Sequence, residues 1–197
     1  GSTGDYITIN DAVAAISSDG VTAPVVFSIE NGTYNEQVTI GAIPGASEVN
    51  TITFESQSSN PDNVTIEYSA SGASDNFVIL LDNTAHLIFR NITIEATGTT
   101  YARTIRGQLE LHNILVEGCV LQSPFANNIS SDRGNVVFTA VNSSDIRFLN
   151  NTFLGGSYGV YFQGTNSGSV RALGFRFIGN IIRDSYYRGI SFSRFLD

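Results

Sequence analysis

The hydrophobic pattern of this chain changes period once, near residue 20. Ile9, Ala12, Val13 and Ile16 fall at the i, i+3, i+4, i+7 spacing that lines one face of an α-helix. Thr8 suits an N-cap, and Asp11 three residues later completes a capping box, with Asp in the place of the usual Glu. Asp19-Gly20 stops the helix. Beyond it, residues 25–29, 37–40, 51–54 and 64–68 are short runs rich in β-branched and aromatic residues. Turn residues such as Asn31-Gly32 and Asn60-Pro61-Asp62 separate them. No helical period returns. The pattern predicts one domain: a cap over residues 1–20 and an all-β body over 21–197.

The body repeats itself. Segments starting at Leu87, Ile114, Ile146 and Phe175 align without gaps over eight positions, with starts 27, 32 and 29 residues apart. Further strands are expected at 77–81, 103–106, 136–140, 159–162 and 189–192, which makes about three strands per repeat. Position one holds Leu87, Ile114, Ile146 and Phe175. Position three holds Phe89, Val116, Phe148 and Phe177, and position eight holds Ile94, Leu121, Phe153 and Ile182. These apolar columns must point inward. Position five holds Asn91, Gly118, Asn150 and Gly179, residue types that accept positive φ, so it reads as a sharp bend. Position six, with Ile92, Cys119, Asn151 and Asn180, returns to the interior, where the two Asn are placed to stack as an amide ladder. Coils stacked about 4.8 Å apart bring equivalent side chains into contact. The pattern predicts a parallel β-helix.

The stretch 8–16 followed by 25–40 resembles the N-terminal cap and first coil of the pectin-lyase-like superfamily, and pectin esterases open in a similar way. Phe148-Leu-Asn-Asn-Thr-Phe153 and Ser157-Tyr-Gly-Val-Tyr-Phe162 resemble the repeats of large secreted bacterial surface proteins. The resemblance implies a right-handed parallel β-helix at the cell surface or outside the cell. It implies no single activity, because the superfamily hosts esterases, lyases, hydrolases, tailspikes and non-catalytic adhesins. Its esterases use paired Asp residues, an Arg and Gln oxyanion donors, and no segment here matches that set.

Composition narrows the function. All 10 basic residues are Arg, and the net charge of −8 disfavours nucleic acid as a partner. No apolar run is long enough to span a bilayer. Cys119, the single cysteine, falls in an inward column and reads as a small buried hydrophobe. His86 and His112 read as solvated strand-edge or turn residues. Asp145, Arg147 and Arg176 form the most catalytic-looking group, with an outward salt bridge as the plainer reading. No metal site, cofactor or catalytic set is expected. Outward positions beside the bend hold Ile88, Leu115, Leu149 and Ile178, expected to lie under the loops at 41–50 or 122–134.

Tyr101, Tyr158 and Tyr187 each precede a strand, in what reads as one position of successive coils, with Tyr161, Tyr186, Arg103 and Arg188 nearby. Tyrosine faces with arginine donors suit sugar rings and hydroxyls. The sequence therefore reads as a non-catalytic extracellular domain for adhesion or contact with a polysaccharide or cell-surface glycan. The alternatives are part of a polysaccharide-active esterase or lyase with catalytic coils outside this segment, and a structural spacer. Residues 189–197 open a coil without finishing it, so the chain is expected to be cut off before its natural C-terminal end and to continue into further domains.

Overall fold

The computed structural model describes residues 4–164 and 173–193. It is a parallel β-helix of about five turns behind one N-terminal helix. Three strands per coil build three faces. The first contains Val38–Ile40, 79–82, 105–108, 136–139, Tyr158–Gly164 and Arg188–Ser193. The second contains Val25–Ile29, Ile52–Ser56, 87–90, 114–117, 146–149 and Arg176–Ile178. The third contains Gly32–Asn35, Val64–Tyr68, Thr93–Ala96, Val120–Phe125, Thr152–Gly156 and Ile181–Arg183. Every pairing between these strands is parallel.

The gapless repeat alignment is the structural register. Phe54 pairs with Phe89, Phe89 with Val116, Val116 with Phe148, and Phe148 with Phe177. Ile94, Leu121, Phe153 and Ile182 stack likewise on the third face. Most of these side chains are at most 1% exposed. The rings of Phe27, Phe54 and Phe89 stack nearly parallel, with centroids 5.0 and 5.7 Å apart. Burial of such columns is the dominant stabilising contribution in a solenoid.

The position-five bend forms as expected. Asn91, Gly118, Asn150 and Gly179 have φ of 52, 62, 56 and 68°. The column alternates for a steric reason. A Cβ at Gly118 would lie 2.3 Å from Asn91 Oδ1, and one at Gly179 would lie 2.2 Å from Asn150 Oδ1. The amide ladder also forms. Asn151 Nδ2 donates to Asn180 Oδ1 (3.0 Å) and to the Val116 carbonyl (2.8 Å), while its Oδ1 accepts from the Cys119 N–H (2.9 Å). Asn180 Nδ2 donates to the Phe148 carbonyl at 2.8 Å.

A second bend was not anticipated. His86, Asn113, Asp145 and Gly174, each one residue before position one, have φ of 61, 52, 53 and 68°. Strands expected as separate pieces therefore run through this corner as Ile79–Arg90, Ile105–Glu117 and Gly134–Leu149. Three of the four residues are Asn, Asp or His, the non-glycine types most tolerant of the left-handed region.

The helix spans Ile9–Asp19 with the capping box in place, and Ile9, Ala12, Val13 and Ile16 are 5–6% exposed. The Glu36 carboxylate accepts from the N–H groups of Ile9 and Asn10, both at 3.0 Å, so a negative charge sits at the helix N-terminus. The 41–50 loop closes the other end of the helix, its Pro44 carbonyl accepting from the Val21 N–H at 2.8 Å. At the other end of the described structure, Ile190 and Phe192 are 39% and 41% exposed, whereas Val160 and Phe162, their partners one coil earlier, are 1% exposed. The expectation about Asp197 lies outside the described residues.

Candidate functional site

Glycines position the aromatic corner where the third face turns into the first. Gly155 and Gly156 have φ of 69 and 71° and aim the chain into Tyr158–Gly164. In the next coil the Tyr186 and Tyr187 N–H groups donate to the Gly156 and Ser157 carbonyls at 2.9 and 3.0 Å, which fixes their place beside that turn. The Tyr158 ring packs edge-on against Tyr161 and Tyr187, with centroids 5.1 and 5.6 Å away. The Arg188 guanidinium carbon lies 4.7 Å from the Tyr187 ring centroid, a cation–π contact. Tyr186 and Tyr187 are 53% and 43% exposed, and Arg188 is exposed. Tyr158 is only 8% exposed. Burial raises its phenol above the ordinary value, the Tyr187 and Tyr161 hydroxyls adding to the effect and Arg188 opposing it.

The structure therefore brings together Tyr158, Tyr161, Tyr187 and Arg188, with Tyr186 on the same turn, and leaves Tyr101 and Arg103 apart. The expected tyrosine column does not form. Tyr158 stacks between Gly134 of the preceding coil and Arg188 of the following one. The coil that enters at Gly134 separates Tyr101 from Tyr158, and it has no tyrosine at this corner. Tyr187 is one residue out of register with Tyr158. The reason is geometric: the arcs between the third and first faces differ in length, so sequence order does not give the register there. Arg103 has a structural partner. Its Nη2 donates to Asp132 at 2.8 Å and its Nε to the Ser131 carbonyl at 3.0 Å, and its side chain is 11% exposed.

The group Asp145, Arg147 and Arg176 does not converge as a catalytic set. Arg147 Nη2 donates to Asn113 Oδ1 at 2.6 Å, Arg147 and Arg176 are cross-strand neighbours of like charge, and Asp145 is at the exposed second bend. Elsewhere on the second face, Arg90 bridges Glu55 (3.4 Å) and Glu117 (3.0 Å) across three coils. This is an outward ion-pair ladder on partly exposed side chains. Among the described residues no cluster of three or more His, Cys, Asp or Glu is placed to hold a metal ion, and no helix is long and apolar enough to cross a membrane.

The histidines behave differently from each other. His86 holds the second bend and its Nδ1 lies 3.0 Å from Asn113 Nδ2. His112 Nδ1 lies 2.8 Å from Ser144 Oγ, and its Nε2 lies 3.8 Å from Glu110 Oε2. Sequence reasoning missed this trio. The signal was present, because His112 and Ser144 both stand two residues before position one of their repeats.

No family model matches the chain, and no curated protein matches it. Solved structures to which it is similar are pectin methylesterases. One, crystallised with a hexasaccharide, is 15% identical, with a TM-score of 0.49 over 86% of this chain and 55% of that one. PemA from Erwinia chrysanthemi is 14% identical, with a TM-score of 0.47 over 94% and 65%. The enzyme from Yersinia enterocolitica is 11% identical, with a TM-score of 0.45 over 90% and 81%. The chain thus spans less than two thirds of the length of the first two.

Proposed function

We propose that this chain is an extracellular β-helix domain that contacts acidic polysaccharide or cell-surface glycan through its aromatic corner. The observation that supports this is the solvent-facing pair Tyr186 and Tyr187 with the Arg188 guanidinium held against the Tyr187 ring. Ring faces suit the apolar faces of pyranoses, and a pre-positioned guanidinium suits their carboxylates. Tyr161 extends the surface toward the first face, and buried Tyr158 supports it from beneath. Tyr101 and Arg103 drop out of the contact surface in this reading, Arg103 because its guanidinium is paired with Asp132.

The test is titration of the domain with polygalacturonate and with a neutral glucan, followed by calorimetry. Binding of the acidic polymer, weakened at least tenfold in a Tyr187→Ala/Arg188→Ala variant with an unchanged melting temperature, is the expected result. No binding to either polymer, or unaltered binding by the variant, overturns the reading.

A further inference from the structure

We propose that Ser144, His112 and Glu110 form a hydrolytic site for small acyl esters, at the corner between the first and second faces. This activity goes beyond glycan contact and does not depend on the aromatic corner. Three independent features of the fold assemble the site. Ser144 and His112 are cross-strand partners in adjacent coils, so stacking alone holds them side by side. Glu110 stands two residues before His112 on the same strand, Ile105–Glu117. The second bend, at Asn113 and Asp145, follows His112 and Ser144 directly and places them on a convex corner.

The geometry is that of a nucleophile, a base and an orienting acid. Ser144 Oγ is 2.8 Å from His112 Nδ1, within proton-transfer reach. Glu110 Oε2 is 3.8 Å from the opposite ring nitrogen, Nε2. At that distance the carboxylate acts on the ring through its charge and not through a hydrogen bond; the tautomer with its proton on Nε2 leaves the Nδ1 lone pair to accept from the hydroxyl. Relative to the commonest arrangement of such triads the two ring nitrogens exchange roles, which the chemistry permits because either nitrogen is basic when the other carries the proton. The His112 and Glu110 side chains are 39% and 60% exposed, and Ser144 is half-buried between His112 and Leu173 of the flanking coils. A convex corner favours a short acyl group over a long one.

The steps balance without a cofactor. Ser144 Oγ attacks the ester carbonyl carbon as its proton moves to His112 Nδ1. The tetrahedral intermediate then breaks its bond to the alcohol oxygen, and the alcohol leaves with the proton from His112, giving an acylated Ser144. Water adds to the acyl carbon with His112 again taking the proton. The carboxylic acid departs and the proton returns to Ser144 Oγ. Glu110 acts through the imidazole and is a positioning residue.

The purified chain is assayed with p-nitrophenyl acetate and, separately, with a fluorophosphonate probe followed by peptide mapping. The expected results are hydrolysis faster than that of imidazole at equal concentration and a covalent label on Ser144. Ser144→Ala and His112→Ala each lower the rate by about a hundredfold or more. Glu110→Gln lowers kcat by about tenfold with KM unchanged, the mark of an interaction used after binding. His86→Asn retains the activity and controls for histidine background. A parent protein that is folded by circular dichroism but takes no label on Ser144 overturns the proposal without recourse to any variant. A Ser144→Ala protein that is folded and equally active overturns it as well. Neither outcome bears on polygalacturonate binding at the aromatic corner, so the two proposals fail separately.

Discussion

At the scale of single residues, the bend column shows how stacking dictates sequence. Asn91 reaches over the bend of the next coil, and only a residue without Cβ fits beneath its amide, which is why Gly118 follows it. Gly118→Ala combines an unfavourable φ with this clash and is expected to lower stability by about 2 kcal/mol in urea unfolding. In the Asn91→Ala background the same substitution is expected to have a smaller effect, because the clash is gone; equal effects in both backgrounds would refute the steric account. The buried amide ladder is a second case. Asn151→Leu leaves the Cys119 N–H without its side-chain acceptor and the Val116 carbonyl without that donor, and is expected to lose roughly 2–4 kcal/mol. Beside it, burial pushes the Cys119 thiol up to about 12 from 9.0. The folded state favours the neutral thiol, so this contribution to stability is full below pH 9.0 and diminishes as pH rises above it, where the unfolded thiol ionises. Cys119 is expected to resist thiol reagents at neutral pH until the protein is unfolded, and rapid labelling of native protein would contradict its burial.

At the scale of elements, the helix is a lid held by two devices. The capping box and the Glu36 carboxylate satisfy its first N–H groups, and Ile9, Val13 and Ile16 dock on the first coil. Val13→Asp places a charge in that apolar contact and is expected to lower stability by roughly 2–4 kcal/mol, read as a fall in melting temperature. An unchanged melting temperature would mean that the helix is not docked in solution. The ion pair of Arg103 and Asp132 has a comparable role between coils, because it ties the 126–133 arc to the coil before it, alongside a bond from Asn76 Nδ2 to the Asp132 carbonyl at 3.0 Å.

At the scale of the whole molecule, each coil touches its neighbours alone, so local stability follows the number of neighbours. Coils bearing Phe54, Phe89 and Phe148 are packed on both sides, whereas Ile178, Ile181, Ile190 and Phe192 are 39–59% exposed. Native-state hydrogen exchange of the 197-residue chain taken by itself is expected to show stronger protection in 79–117, packed on both sides, than in 176–193, in contiguous blocks. Uniform protection along the solenoid would show that it opens only as one unit. The outer surface divides by face and corner. The second face carries the ladder Glu55–Arg90–Glu117, the corner at one edge of the first face carries the tyrosines and Arg188, and the corner at its other edge carries Ser144 and His112.

The sequence alone determined what repeats with a constant offset. The helix period of residues 9–16, the inward Phe and Ile columns and the Asn/Gly bend are each set by a local rule, and vertical stacking copies that rule from coil to coil. The fold and the burial of Cys119 and Asn151 were legible for that reason. Tertiary structure decided what depends on arcs of unequal length and on φ at single positions. It separated Tyr101 from Tyr158, put Arg103 on Asp132 and kept Tyr187 beside Tyr158. It also turned the chain at His86, Asn113 and Asp145, a bend spelled in residue types that solvated strand edges use as well. Ser144 and His112 are an intermediate case. Their shared offset from the repeat was readable, but only a neighbouring coil that sets the imidazole 2.8 Å from the hydroxyl turns that offset into chemistry.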